Sequence, residues 1–570
     1  MIGISTVAYL SMEIGLEPSM PTYSGGLGVL AGDTLRAAAD IGLPMVAVTL
    51  LYRKGYFRQH LDRKGSQTES AATWRPQDFL EPLSESVTLL LDGKQVQIRA
   101  WRYIIKGATG HTVPVYLLDT ALPENDAWHQ TLTDHLYGGD ERYRLCQEAV
   151  LGLGGVAMLR ALGHEVSIYH LNEGHSALLT IALLEQQAGN RGLRGATWAD
   201  VEGARKRCVF TTHTPVAAGH DKFPLQLVRQ ILGEDISSAL SEAGCCVNGT
   251  LNMTALALAF SHYVNGVSMR HEQVSQDMFP EYPINSISNG VHAATWACEP
   301  FSKLFDRRIP EWRRDNMYLR YAISIARDEI QEAHAQAKRD LAAEVERRTG
   351  LRLNPAALTI GYARRATPYK RPNLIFSDLE RLRQIARQAG PIQIIYAGKA
   401  HPRDEGGKEA IRYIFGAAET LKDDVTIVYL EEYGMGLAKL LCSGVDLWLN
   451  TPQKPLEASG TSGMKAAING VPSFSVLDGW WLEGHVEGVT GWSIGDDPRR
   501  ESKPAEEIAS MYNKLEFTIL PMFYSRPRDF ARVQRWAIAL NGSFFNAQRT
   551  VLQYLGNAYL PGQQRNNRPV

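Results

Sequence analysis

Leu358-Thr359-Ile360-Gly361-Tyr362-Ala363-Arg364-Arg365-Ala366-Thr367-Pro368-Tyr369-Lys370-Arg371 sets the pattern for the whole chain. An apolar, β-branched run stops abruptly and gives way to four cations within eight residues, with Pro368 stiffening the turn. Similar runs end on polar or glycine residues at Met45–Leu51, Val166–His170, Cys208–Thr212 and Tyr263–Met269. The second half has them at Ile392–Tyr396, Val425–Leu430, Asp446–Leu449 and Pro472–Leu477. Helical stretches such as Tyr143–Leu162 and Arg327–Arg348 lie between. Strands alternating with helices predict an α/β fold whose parallel sheets are buried on both faces.

Ligands of such sheets bind beyond the carboxyl ends of the strands. The residues there are Asn172-Glu173-Gly174-His175, His213-Thr214-Pro215, Arg364-Arg365, Gly398-Lys399 and Glu431-Glu432-Tyr433. Charged, imidazole and phenolic groups at five strand ends predict two sheets facing one cleft. At 570 residues the chain is too long for one ordinary core. Two domains are expected, residues 1–290 and 291–570, divided near the Asn289-Gly290 turn. A last amphipathic helix, about 535–555, is expected to pack back on the first domain.

Composition narrows the function. Lys plus Arg number 60 against 61 for Asp plus Glu, so neither a general nucleic-acid binder nor a membrane-surface binder is expected. Met1 to Gly15 carry no signal-peptide pattern and no apolar run is long enough to span a bilayer, which predicts a cytoplasmic protein. None of the six cysteines forms a Cys-x-x-Cys pair, and no cluster has zinc spacing, so no metal is expected.

Two further segments carry chemistry. Tyr23-Ser24-Gly25-Gly26-Leu27-Gly28-Val29-Leu30-Ala31-Gly32-Asp33 sets glycines immediately before a helix, where backbone amides and the helix dipole can hold an anion. It reads equally as a tight structural turn. A dinucleotide turn is disfavoured, because the Gly-x-Gly-x-x-Gly spacing is missing and no strong strand is expected before it. Glu457-Ala458-Ser459-Gly460-Thr461-Ser462-Gly463-Met464-Lys465-Ala466-Ala467 places one lysine in a small, uncharged stretch. Lys465 is either a surface residue or an amine whose pKa is depressed for Schiff-base chemistry. The basic loop fits a phosphate site somewhat better than a solvated loop, because Arg forks and Lys point charges converge at a strand end.

Together these segments resemble the glycogen and starch phosphorylase family, of GT-B-type fold. The likeness also covers Tyr9-Leu10-Ser11-Met12-Glu13, Leu171-Asn172-Glu173-Gly174-His175-Ser176, Thr212-His213-Thr214-Pro215, Ser288-Asn289-Gly290-Val291 and Arg549-Thr550, nearly the whole chain. It implies reversible phosphorolysis of an α-1,4-glucan or maltooligosaccharide by inorganic phosphate, giving α-glucose 1-phosphate. It also implies that pyridoxal 5'-phosphate is bound to Lys465, with Thr461, Gly26 and Arg364 near its phosphate and Tyr433 and Trp296 beside its ring. Arg365 and Lys370 would bind the substrate phosphate, with His213 completing the catalytic set. Gly25, Leu27, Asn289, Glu457, Ala458, Ser459, Gly460 and His175 would line the terminal glucose.

The chain departs from storage-type members at Arg364, where they have Lys, at Ser24, where they have Asn, and at Gly15, where they have a tyrosine. Its start at the Tyr9 motif implies that their amino-terminal control segment is missing. The alternatives are a nucleotide-sugar-dependent retaining glucosyltransferase on the same fold, which needs no such lysine, or a carbohydrate-binding protein without catalysis. A homo-oligomer is left open.

Overall fold

The computed structural model describes residues 6–216, 219–495 and 503–560. Its first sheet has nine strands: β1 (Thr6–Ser11), β2 (Met45–Leu50), β3 (Glu81–Leu91), β4 (Lys94–Lys106), β5 (Thr112–Asp119), β6 (Val166–Asn172), β7 (Cys208–Thr211), β8 (Tyr263–Gly266) and β9 (Asn285–Ser286). Their order is β9-β8-β7-β6-β1-β2-β5-β4-β3. All pairings are parallel except β3 with β4 and β4 with β5. The second sheet is wholly parallel, in the order β12-β11-β10-β13-β14-β15. Its strands are β10 (Leu358–Ala363), β11 (Ile392–Ala397), β12 (Val425–Leu430), β13 (Leu447–Asn450), β14 (Ser473–Val476) and β15 (Gly491–Ile494).

This is the α/β, doubly wound class expected from the sequence. The interior strands β2, β10 and β11 are buried at every position, as continuous apolar runs require between two helical layers. The antiparallel arm β3–β5 was not among the expected strands, although β3 alternates exposed and half-buried residues along most of its length. Asp92 and Gly93 join β3 to β4 with φ of 54° and 72°, the left-handed pair of a two-residue hairpin turn. Also unforeseen is β1, the strand before the glycine loop. It lies centrally in its sheet, but residues 12–25 separate it from the helix, far more than a dinucleotide turn allows.

The helices that position the cleft are α1 (Gly26–Asp40), α2 (Arg327–Thr349), α3 (Ser462–Ile468) and α4 (Ala547–Tyr554). The single helix expected over 535–555 is instead interrupted. Pro527–Trp536 runs into a wider turn over Ala537–Gly542, and Asn546 then caps α4, its Oδ1 accepting from Arg549 N at 2.8 Å. Val551 and Tyr554 of α4 share a core with Val7 and Tyr9 of β1. Among the described residues no helix is long and apolar enough to cross a membrane.

A hairpin of Arg58–Leu61 and Gln67–Ser70 reaches from the first unit to the second. Gln59 Nε2 donates to Gly398 O at 2.8 Å, and the Gln67 side chain meets both the amide and the carbonyl of Ala400. Elsewhere Met435 N donates to Tyr23 Oη at 2.8 Å, and Ser268 Oγ to Ala458 O at 2.6 Å.

Candidate active site

Each parallel sheet reverses its winding once, between β1 and β6 in the first and between β10 and β13 in the second. Such switch points open a crevice at the carboxyl ends of the strands. At the first, β1 runs into Glu13 and β6 into Asn172-Glu173; Asn172 Nδ2 bonds Ser11 Oγ across the two strands at 3.0 Å. At the second, Arg364 follows β10 and reaches Asn450 Oδ1, at the end of β13, at 3.2 Å.

Glu13 organises the glycine loop. Its Oε2 accepts from Gly25 N at 3.3 Å and also from Ser24 N, and Tyr137 donates to its Oε1 at 2.9 Å. A Cβ at Gly28 would lie 2.7 Å from both Glu13 Oε2 and Tyr23 Cβ, so no larger residue fits. Gly25 caps α1, and Gly26 and Leu27 open it with their first-turn amides unspent on the helix. A Cβ at Gly25 or Gly26 would meet nothing within 4 Å, leaving open space at this positive helix end.

Glu173 stands at φ 70° and ψ 168°, a conformation natural only to glycine and costing about 1–3 kcal/mol. Its buried carboxylate accepts from His213 N at 2.7 Å and Thr214 Oγ1 at 2.9 Å, fixing the loop after β7. His213 Nε2 lies 2.6 Å from Asn172 Oδ1. Burial, with neighbouring imidazoles, lowers its pKa to about 3, which favours the neutral ring. His175 is half-buried, 3.4 Å from Asp221 and beside Tyr137, and burial lowers its pKa to about 3.

On the facing unit, Glu457 gathers two cations. It is ion-paired with Arg364, and Lys370 Nζ lies 3.2 Å from its Oε2. Burial opposes ionisation of Glu457, but Arg364 and Lys370 outweigh it and hold the carboxyl at about 2. Arg364 Nε is buried without a hydrogen-bond partner. Arg365 is exposed and has neither ion pair nor hydrogen bond among the described residues. Thus the basic loop holds one unshared cation, two that share Glu457, and Arg371, which pairs with Glu507 at 2.6 Å.

Glu457 N donates to Asp478 Oδ2 at 3.0 Å, and Ser459 O accepts from Trp480 N at 2.9 Å, while Gly460 takes φ 74°. The segment from Glu457 to Gly460, including Ala458, is therefore pinned to the loop after β14. Burial, with the nearby Glu457 charge, raises the Asp478 carboxyl to about 7. A carboxyl raised in the folded state adds stability fully below about pH 4, and this is lost as pH rises through about 7. Asp478→Asn should therefore gain thermal stability relative to the parent as pH goes from 5 to 8. A Tm difference that stays constant over that range would refute this.

Lys465 lies on α3 behind this segment, only 7% exposed. Its ammonium sits 4.1 Å over the Trp296 ring and has no carboxylate within ion-pair distance among the described residues. Burial lowers its pKa, against the pull of Asp33 and Cys442. Trp296 Nε1 donates to Asp33 Oδ2 at 2.7 Å, and one of the two Asp33 oxygens has no hydrogen bond. Tyr433 is packed between the same core and that of β10. Thr461 caps α3 with its carbonyl, leaving its hydroxyl free of capping. Asn289 is buried, its carbonyl held by Arg549 Nη2 at 3.0 Å.

Of the residues singled out from sequence, Lys465 and Trp296 are in direct contact, as are Arg364, Lys370 and Glu457. Asp33 and Glu173 stand in the segments quoted from sequence but were given no role there, and Asn450 and Asp478 were missed. Asp33 carried a signal as the first acid after an uncharged glycine segment, and Glu173 as a carboxylate just beyond a strand end.

The family model for carbohydrate phosphorylase matches residues 234–487. Maltodextrin phosphorylase of Thermococcus litoralis is 37% identical, over 97% of this chain and 70% of that protein. Glycogen phosphorylase of Mycobacterium tuberculosis is 35% identical over 98% of this chain and 71% of its own length. Glycogen phosphorylase of Aquifex aeolicus is 34% identical over 97% and 86%. With these relatives, its two doubly wound units make the chain a glycosyltransferase of GT-B type. The chain belongs to the carbohydrate phosphorylase family.

Proposed function

We propose that the protein is an α-glucan phosphorylase that cleaves the terminal α-1,4 bond of a maltooligosaccharide with inorganic phosphate, reversibly, and carries pyridoxal 5'-phosphate on Lys465. The observation behind this is the buried Lys465 amine, set on the Trp296 indole face with no carboxylate within ion-pair distance among the described residues. The surroundings suit the cofactor: Arg364 Nε is an unspent buried donor, Gly25 and Gly26 leave space at the end of α1, and the lysine has no competing carboxylate. Arg364, Thr461 and the Gly26 amide would hold its phosphate, and Tyr433 and Trp296 would flank its ring. When bound, the cofactor supplies a phosphate that trades a proton with the substrate phosphate, so no pair of catalytic carboxylates is needed.

The chain's own residues do the rest. Two phosphate dianions about 6 Å apart repel by roughly 10 kcal/mol at an effective dielectric near 20. Arg365 and Lys370 offset this at the substrate phosphate, and Arg364 offsets it on the cofactor side. Asn289, Glu457, Ser459 and Gly460 would fix the terminal glucose, with Leu27's amide and His213's carbonyl on its other side. The test is glucose 1-phosphate release from maltooligosaccharide plus phosphate, run beside transfer from UDP- and ADP-glucose. Turnover with a sugar nucleotide alone would overturn the assignment.

A further inference from the structure

We propose that Asp33 is the side chain that meets the ring nitrogen of the cofactor and keeps that nitrogen protonated. The inference rests on the pyridoxal-phosphate reading above and extends it to a residue not so far given a role.

Asp33 is fully buried on α1. Its Oδ2 is occupied by the Trp296 indole N–H, whereas Oδ1 accepts nothing. The nearest cation, Arg36, lies 3.8 Å from Oδ1 and spends its own donors on the carbonyls of Gly15 and Leu16. A buried carboxylate oxygen without a donor is unfavourable, and an N–H of a ligand would satisfy it.

Two relations aim Asp33 at the cofactor. The same indole has the Lys465 amine over its face and the Asp33 carboxylate at its edge, so a flat ring tied to that amine and lying along the indole runs toward Asp33. On α1, Asp33 follows Gly26 by seven residues, two turns along one face, or about 10 Å by helix rise. The amide end that suits the phosphate and the carboxylate that suits a pyridinium N–H thus stand on one face of α1. A carboxylate against that nitrogen is a recurrent way of tuning this cofactor. A merely structural Asp33, holding Trp296 in place, would need only Oδ2.

The test refills full-length protein, freed of cofactor, with either pyridoxal phosphate or its 1-deaza analogue, which has carbon in place of the ring nitrogen. Retention is read from the fluorescence of bound ligand. The parent should hold pyridoxal phosphate about tenfold to a hundredfold more tightly than the analogue, as expected for one charge-assisted hydrogen bond. Asp33→Ala should bind both alike. Asp33→Asn, which keeps an acceptor for Trp296, should lose most of the preference. A parent without preference, or variants that keep the parent's preference, would overturn the proposal. A parent that binds neither ligand would overturn the cofactor reading itself, and this inference with it. Should the variants fail to fold, the ring-15N resonance of the parent decides: a protonated nitrogen at neutral pH supports the proposal and an unprotonated one rejects it.

Discussion

Replacing Lys465 by alanine is expected to abolish bound pyridoxal phosphate and to reduce phosphorolysis to background. Bound cofactor is measured by the absorbance of the purified protein before and after borohydride. The side chain is buried and its cation rests on Trp296, so two roles have to be separated. As a structural cation, Lys465 would be replaced tolerably by arginine, which keeps the charge and stacks on aromatic faces. As the amine that anchors an aldehyde, it has no substitute, because a guanidinium stays protonated. Burial already lowers the Lys465 pKa, which raises the fraction of reactive neutral amine. Lys465→Arg should therefore be as inactive as Lys465→Ala, although folded. Retention of cofactor by either variant would sink the assignment of this lysine.

Arg365→Ala is expected to reduce turnover by about tenfold to a hundredfold. A charge-assisted contact to an anion contributes about 1.5–3 kcal/mol, and each ~1.4 kcal/mol is a factor of ten in rate. Arg365 should be more sensitive than its sequence neighbours suggest. Arg364 and Lys370 share Glu457, so part of their charge is spent, whereas Arg365 has no carboxylate partner among the described residues. Arg365→Lys should rescue only in part, since a single ammonium cannot grip two phosphate oxygens as a fork does. Turnover unchanged in Arg365→Ala would remove the residue from the phosphate site.

Most of the parallel framework could be read directly from the sequence. Strands such as Ile392–Ala397 and Val425–Leu430 are mostly apolar, β-branched runs, each with one polar residue, and they were expected to within a residue at each end. The arm β3–β5 was harder to see because its pattern alternates, and alternation is easily lost among Ser, Glu and Gln at the exposed positions. Of the site, the residues that lie close in sequence were legible: the basic loop, the lysine segment and the glycines. The hidden part consists of contacts across the chain. Glu457 meets Arg364 across ninety-three positions, and Trp296 meets Asp33 across two hundred and sixty-three. Glu173 was quoted as part of a motif, yet its strained backbone and its hold on the His213 amide have no signature in one sequence.

Helix α4 bears on how the molecule is made. It supplies core for the first sheet, and polar groups of α4 and of the turn after it reach the same place: Asn265 Nδ2 donates to Tyr554 Oη at 3.1 Å, and Tyr559 Oη lies 2.6 Å from His170 Nδ1. On a ribosome, the strands of the first sheet emerge hundreds of residues before these partners do. The nascent first unit must therefore wait with Tyr9, His170 and Thr211 incompletely covered while the whole second unit is synthesised. The second sheet waits less, because the core around its strands draws its last residues from Met511 to Val533, before α4 is made. The earlier-made sheet thus receives its last core residues after the later one does.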